Sequence, residues 1–412
     1  MLTVTFKADD GTTISTQSVG YNDFATQPAN TPTSISYTKR AGLYSPLVPA
    51  EGAACSFVGW RKSDGSAWDI SSDRITSNIT LTARYTILNL ITAVPLNNVA
   101  AAVTYINANQ NAAYFLLIGE DTTCEPQNMN GASVQLTIEG VNSERRISLD
   151  GTGSLFTVGP ASGSNTTIEL TLGNNITLLG HGSGSGNSGR LVVVQNKAQL
   201  FMQSGSIISQ NQMTPMEGTY PSGGGGVLVD NATFTMNGGT IENNISMDSG
   251  GGVVVRNNGT FSMYTGAAIR NNTANTTQAP YAGGGGVRVD SATFAMMGGD
   301  ISYNRLMGNV NSSDIGGGGV YVSGTGSFTM HDGTISGNIS DKDGGGVYLY
   351  NSASFTMSGG VIYGLNETET FLRNTAENSD SAALYKYIDA TAKYGNDAPI
   401  PTPYSITING IP

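Results

Sequence analysis

Apolar and polar residues alternate along this chain in short runs, and between residues 190 and 365 the runs recur in one frame. Each of six copies reads glycine-rich, then V-x-V, a short turn, F-T-M, G-G-T-I and an asparagine. The methionines are Met202, Met236, Met263, Met296, Met330 and Met357, at spacings of 34, 27, 33, 34 and 27 residues. Leu200, Phe234, Phe261, Phe294, Phe328 and Phe355 stand two residues before them. Ile208, Ile241, Ile269, Ile301, Ile335 and Ile362 follow by five or six. Asn211, Asn244, Asn272, Asn304 and Asn338 come three residues later, and the sixth copy departs there. A period near 27 built from period-2 pieces excludes a helical repeat. It predicts a chain winding through about three short strands per coil, with coils stacked ~4.8 Å apart and each inward residue on its equivalent. The expected fold is therefore all-β, a parallel β-helix of the right-handed form, with phenylalanine and methionine columns inside. The glycine runs open one strand of each coil, and the asparagines read as a ladder at a turn that tolerates left-handed backbone.

Weaker coils precede the repeats at residues 134–138, 147–149, 168–172 and 175–179, and Ala382-Ala383-Leu384-Tyr385 reads as a last worn copy. Leu96, Val99, Val103 and Ile106 have helical spacing, which predicts an amphipathic helix capping the open end of the first coil. Residues 131–390 are assigned to the β-helix, 87–130 to a linker and N-terminal cap, and 391–412 to a C-terminal tail.

Before residue 87 the pattern changes. Val4 to Ala8, Ile14 to Val19, Phe57 to Trp60 and Ile79 to Tyr85 read as strands, with a hairpin-type turn at Asp9-Asp10-Gly11. Val4-Thr5-Phe6, Gly11-Thr12, Phe57/Gly59/Trp60 and Ile79 to Tyr85 follow, in order and rough spacing, a V-T-F start, an F-x-G-W centre and an I-T-L-x-A-x-Y end. Residues 1–86 thereby resemble the Listeria–Bacteroides, or internalin B-type, repeat. Residues 31–54 are longer than that family's usual middle. The resemblance implies a small β-grasp-like module of bacterial surface proteins with no enzymatic role, and the composition break at residue 86 suggests a core of its own around Phe57, Trp60 and Tyr85. The later copies resemble the G-G-G-V-Y-V and F-T-M-x-G-G-T-I-x-x-N repeats of adhesin-like bacterial surface β-helix proteins. That resemblance implies an extracellular or cell-surface location, with any leader already removed.

Composition supports the division. Residues 1–86 carry seven basic and seven acidic side chains and six glycines; the remaining 326 carry 12 basic, 23 acidic and 49 glycines. The net charge of −11 argues against a nucleic-acid partner, which calls for a basic stripe. No apolar run is long enough to span a membrane. Cys55 and Cys124 read as two unpaired thiols, and neither histidine has zinc-like spacing with them, so no metal and no cofactor is expected.

Many β-helices degrade polysaccharides, which requires paired carboxylates or an acidic cation site with a base. Gly180-His181-Gly182 echoes one such motif without its companions, and His181 reads as a turn residue. Asp230 and Asp290 share a position six before the methionine with Asn196, Asn257, Gly324 and Asn351, which is the composition of a turn. His331-Asp332 has no assignable serine partner. Threonine and serine flank each core phenylalanine, as on an ice-binding face, but Ala295 interrupts them and threonine is an ordinary strand residue. A non-catalytic role is therefore favoured over a polysaccharide lyase or hydrolase, and over an ice-binding face: a monomeric stalk or binding module for glycan or protein on a host or bacterial surface. Its predicted site is the corner where loops vary, at 212–222, 245–249, 273–282, 305–315 and 339–343, which land on one edge of the solenoid. Tyr220, Tyr281, Arg305 and Asp314 are expected on that rim, with Tyr321 and Tyr348 in the outward position of the neighbouring strand.

Overall fold

The computed structural model describes residues 1–8, 12–31, 34–36, 47–49, 54–63, 66–87, 94–95, 97–141, 143–160, 167–181, 187–214, 223–275, 283–308, 315–377, 379–387, 389–394, 398–400 and 408–409. It is built mostly of parallel sheets, stacked coil on coil, as the repeat frame predicts.

Three long sheets carry the solenoid. The V-x-V strands, such as Val287–Asp290, form sheet 1; the F-T-M strands, such as Thr293–Met296, form sheet 2; the T-I strands, such as Asp300–Ser302, form sheet 3. Between the six repeat copies every pairing within these sheets is parallel and joins equivalent residues, as in Phe261↔Phe294↔Phe328 and Met263↔Met296↔Met330. Alternation then sends one face of each strand inward. Phe234, Phe261, Phe294, Phe328 and Phe355 are buried, and so are all six methionines. Successive rings from Phe234 to Phe328 lie 4.6–4.8 Å apart with planes within 5–9° of parallel. Isolated aromatic pairs prefer offset or edge-on geometry. This near-parallel stacking follows instead from the strand spacing, which repeats every side chain at the same interval.

Where three strands per coil were expected, coils from residue 212 onward have four. Gln212–Met213, Ile245–Ser246, Thr273–Asn275, Arg305–Met307, Ile339–Ser340 and Thr375–Ala376 pair in parallel as sheet 4. The segments read as variable loops thus begin as strands. Their inward residues Ala274 and Leu306 pack with Ile315 in a small core of their own.

A buried asparagine ladder stands between sheets 3 and 4. The backbone N–H of Asn244 donates to Asn272 Oδ1 at 3.0 Å, Asn272 to Asn304, Asn304 to Asn338 and Asn338 to Asn374. Each Nδ2 donates back to an isoleucine carbonyl of the preceding coil, as Asn304 does to Ile269 at 2.9 Å. Asn374 supplies the rung that the sixth copy lacked at its usual distance, because residues 363–373 intervene first. Before Asn211, Asn244, Asn272, Asn304 and Asn338 the left-handed residue is the one immediately preceding, Gln210, Asn243, Asn271, Tyr303 and Gly337, with φ between 55° and 63°; before Asn374, Arg373 is extended instead. The ladder asparagines themselves are not left-handed, a correction to the expected turn geometry.

Helix α1, Val99–Ala108, starts at the N-cap Asn98, whose side chain accepts from the Ala101 N–H, and buries Val99, Ala102, Val103 and Ile106 in the solenoid core. The coils overrun the limits read from sequence. Ala113–Ile118 already belongs to sheet 2, and Thr391–Tyr394 continues it beyond Ser354–Met357. Leu384–Lys386, the worn copy, pairs with Val347–Leu349 in sheet 1.

At the other end, Leu2–Lys7, Thr13–Val19, Ala54–Arg61 and Ile79–Ile87 form a separate sheet with two shorter strands. Trp60 fills its centre, edge-on to Phe6 at 4.7 Å and to Phe57 at 5.3 Å. The turn at residues 9–11 and the Tyr85 side chain lie outside the described residues. This core is not closed on itself: Leu117 and Val141 of the first coils are buried in it, and Leu47–Pro49 pairs antiparallel with Ala113–Ile118.

Because Phe294 is fully buried between two rings, Phe294→Ala is expected to cost about 3–5 kcal/mol. Urea titration against the wild type measures it, and a loss under about 1 kcal/mol would contradict a load shared by this column.

Candidate functional site

The corner predicted to bind is formed by sheet 4 and the segments that leave it. Arg305 lies there, exposed, opposite Thr273 on one side and Ile339 on the other. Its Nη2 pairs with Asp341 Oδ1 of the next coil at 3.2 Å, and Lys342 Nζ pairs with Glu377 Oε2 of the coil after at 3.2 Å. Between the two ion pairs runs a groove of 520 Å³. Ile339, Ser340, Thr375 and Ala376 line it together with Asp341, Lys342, Glu377 and Gly308. Ile339, 39% exposed, offers an apolar patch amid four charged side chains. Such a groove is of the size that takes a small ligand, with polar groups placed to orient it.

Of the other predicted rim residues, Tyr220, Tyr281 and Asp314 lie outside the described residues. Tyr321 and Tyr348 do point away from the main core, but they are 1% and 0% exposed and offer no binding surface. Their rings stack at 5.5 Å, and Tyr348 on Tyr385 at 5.1 Å. The cover comes from the preceding coil: a Cβ at Gly283 or Gly316 would collide with the ring of Tyr321 or Tyr348. Arg288, above Tyr321, completes the column. These tyrosines form a second, outer core layer under the glycine runs.

The acidic residues weighed for catalysis are held by arginines. Asp230 ends its strand and accepts from Arg256 Nη2 at 2.7 Å, while Asp290 accepts from Arg288 Nη2 at 3.0 Å. Asp230 lies opposite Arg256 in register, so counting back from the methionine misplaced it by one residue. Asn196, Asn257, Gly324 and Asn351 do lie in turns and are left-handed, Lys197 and Asn258 after two of them are left-handed too, and Asn231 and Ser291 take that conformation in the two copies that carry the aspartates. Burial and the neighbouring Arg256 pull Arg190 down to about 10. His181 bonds the Gly151 carbonyl, and His331 Nδ1 lies 2.8 Å from Ser358 Oγ, a partner one coil away that sequence proximity hid.

The hydroxyls of sheet 2 form two columns in register, Thr233↔Thr260↔Thr293↔Ser327↔Ser354 and Thr235↔Ser262↔Ala295↔Thr329↔Thr356. Gln199 and Phe201 end them on one side and Lys393 breaks one on the other. A further cleft, of 560 Å³, lies at the start of α1 among Glu120, Asp121, Glu125 and Asp150. Cys124 at its edge is buried, and burial pushes its thiol up to about 11. Among the described residues no group of three or more histidine, cysteine, aspartate or glutamate side chains is placed to hold a metal ion. No helix among them is long and apolar enough to cross a membrane.

A scan against protein-family models finds no match, and searches of curated proteins and of solved structures find none either.

Two outcomes follow. Arg305→Ala should change stability by less than about 1 kcal/mol, since the pair it breaks is exposed, and thermal melting measures it. Cys124 should resist alkylation at pH 8 in the native protein and react on unfolding, because the thiolate is the nucleophile and burial suppresses it. Rapid native labelling of Cys124, read by mass spectrometry, would contradict that burial.

Proposed function

We propose that this chain is a non-catalytic binding module of a bacterial cell-surface or secreted protein, taking glycan or protein ligands at the sheet 4 corner. In this reading the solenoid winds in the right-handed sense, and α1 caps its first coil. Residues 1–86 are a β-grasp-like surface repeat of the Listeria–Bacteroides type, on the motif resemblance given above. The observation that carries the proposal is the contrast between a constant coil and one variable corner. Core positions repeat residue for residue, while the stretches from each ladder asparagine to the next glycine run vary from five to eleven residues, and Ile339 to Lys342 of the last one line a groove flanked by two ion pairs. A fold maintained only as a spacer gives no reason for an apolar floor ringed by charge at that corner.

The competing reading is a polysaccharide lyase or hydrolase. It requires carboxylates that converge on one substrate bond. Asp230, Asp290, Glu242 and Asp341 each lie against an arginine instead, a pattern that suits coil-to-coil bracing better than acid–base work. The interrupted hydroxyl columns likewise favour an ordinary solvated sheet over an ice-binding face.

The test is to screen the full chain against immobilised glycans and extracellular proteins, alongside lyase and hydrolase assays. Binding without turnover is expected. Binding should weaken when residues 276–282 and 309–314 are replaced by short glycine–serine links, with circular dichroism unchanged. Turnover of any polysaccharide would establish the enzyme reading, and binding unaffected by the loop replacements would place the site elsewhere.

A further inference from the structure

Within that reading, we infer that Tyr303 is a stacking platform for a sugar ring, placed where sheet 3 turns into sheet 4, two residues before Arg305 and on the edge that carries the groove. If the corner does not bind glycans, the inference falls with it; the experiment below separates the two failures.

Tyr303 has a left-handed backbone, φ 55°. The equivalent residues of the other coils are Gln210, Asn243, Asn271 and Gly337. Asparagine and glycine suit this conformation, whereas a bulky aromatic residue rarely adopts it. The turn does not need the ring for its hydrogen bonds. The Tyr303 N–H donates to the Ser336 carbonyl at 3.1 Å and the Asn271 N–H to the Ser302 carbonyl at 3.2 Å, bonds available to any residue but proline. Nor is the ring buried, since Tyr303 is 45% exposed. Local preference, hydrogen bonding and core packing all fail to account for a tyrosine at this position.

The next coil makes room for it. A Cβ at Gly337 would stand 2.7 Å from Tyr303 Cδ1 and Cε1, so the absent side chain lets the ring lie against the following turn. The Phe371 carbonyl reaches the same spot from one coil further, at 2.8 Å from that Cβ position, and Phe371 is 58% exposed. Ile339 follows Gly337 by two residues. Of the eight large hydrophobic residues exposed in the described chain, Tyr303, Ile339 and Phe371 fall on three successive coils of one edge.

The chemistry around them selects the ligand. Two residues after Tyr303 stands Arg305, paired with Asp341, and the groove continues past Ile339 to Lys342 and Glu377. Small exposed apolar faces thus alternate with donors and acceptors. A pyranose has that character: a C–H face that packs on an aromatic ring, and an edge of hydroxyls that both donate and accept. An apolar peptide or lipid would need an unbroken apolar surface, whereas the Arg305–Asp341 and Lys342–Glu377 pairs flank Ile339.

The experiment compares wild type, Tyr303→Asn and Tyr303→Phe for binding to a panel of immobilised plant, bacterial and mucin polysaccharides, with thermal melting of each. Asparagine restores the residue that the turn prefers. Tyr303→Asn is expected to keep or raise the melting temperature and to weaken binding at least tenfold, while Tyr303→Phe retains most of it. A lower melting temperature for Tyr303→Asn would make the ring a structural element and overturn the inference. So would unchanged glycan binding by Tyr303→Asn while the loop replacements abolish it, which leaves the corner as the site without Tyr303. Binding to proteins alone, or to nothing in either screen, would overturn the platform, the latter together with the broader proposal.

Discussion

The asparagine ladder holds the solenoid in register. Each amide does what no other side chain of its size can do: its oxygen accepts from the backbone N–H of the preceding asparagine while its nitrogen donates to a carbonyl of the same preceding coil, as Asn304 does with Asn272 and Ile269. Aspartate lacks the donor and leucine lacks both. These groups are fully buried, so a missing rung would leave an unsatisfied backbone N–H and carbonyl inside the protein, at about 1–3 kcal/mol for each group. The ladder also fixes which residue of a coil meets which residue of the next. A slip of one position would turn every inward phenylalanine outward.

A constant register separates what varies from what does not. Chain inserted before or after the ladder's own turn leaves the core columns undisturbed, provided the asparagine returns to its place. The final coil demonstrates this. Residues 363–373 add a detour that includes a short 3-10 turn, Thr370–Leu372, and Asn374 still meets Asn338 at 2.9 Å. Insertions therefore accumulate on one edge, and solvent-facing chemistry is free to differ from coil to coil on that edge alone.

The inner columns were legible because burial imposes a period, and a period shows in sequence. The phenylalanines, methionines and isoleucines recur at each coil, and the helix at Val99–Ala108 showed the same way through its apolar spacing. Sheet 4 was hidden because strands of two or three residues are too short to display alternation. The burial of Tyr321 and Tyr348 was hidden for a different reason. An outward position is exposed only when nothing covers it, and here the cover comes from glycines 38 and 32 residues earlier in the chain. Tyr303 lacked any signal of its own. Its column was aligned by the asparagine that follows, but the left-handed backbone was expected on the asparagines themselves and falls one residue earlier.

The aspartates illustrate how one residue in the count decides a chemical reading. Counted back from the methionines, Asp230 and Asp290 share a column with asparagine and glycine and read as turn residues. In register, Asp230 faces Arg256, which faces Asp290, so charges alternate along the axis. Each carboxylate is thus engaged by an arginine, whereas glycosidic chemistry calls for two carboxyl groups that converge on one bond. The same edge-on logic applies where the two modules meet. Leu117 and Val141 alternate outward from the first coils and would be solvated on an isolated solenoid, yet they lie in the core built around Trp60. The change in composition near residue 86 marks a change of architecture, and the apolar contact runs across it.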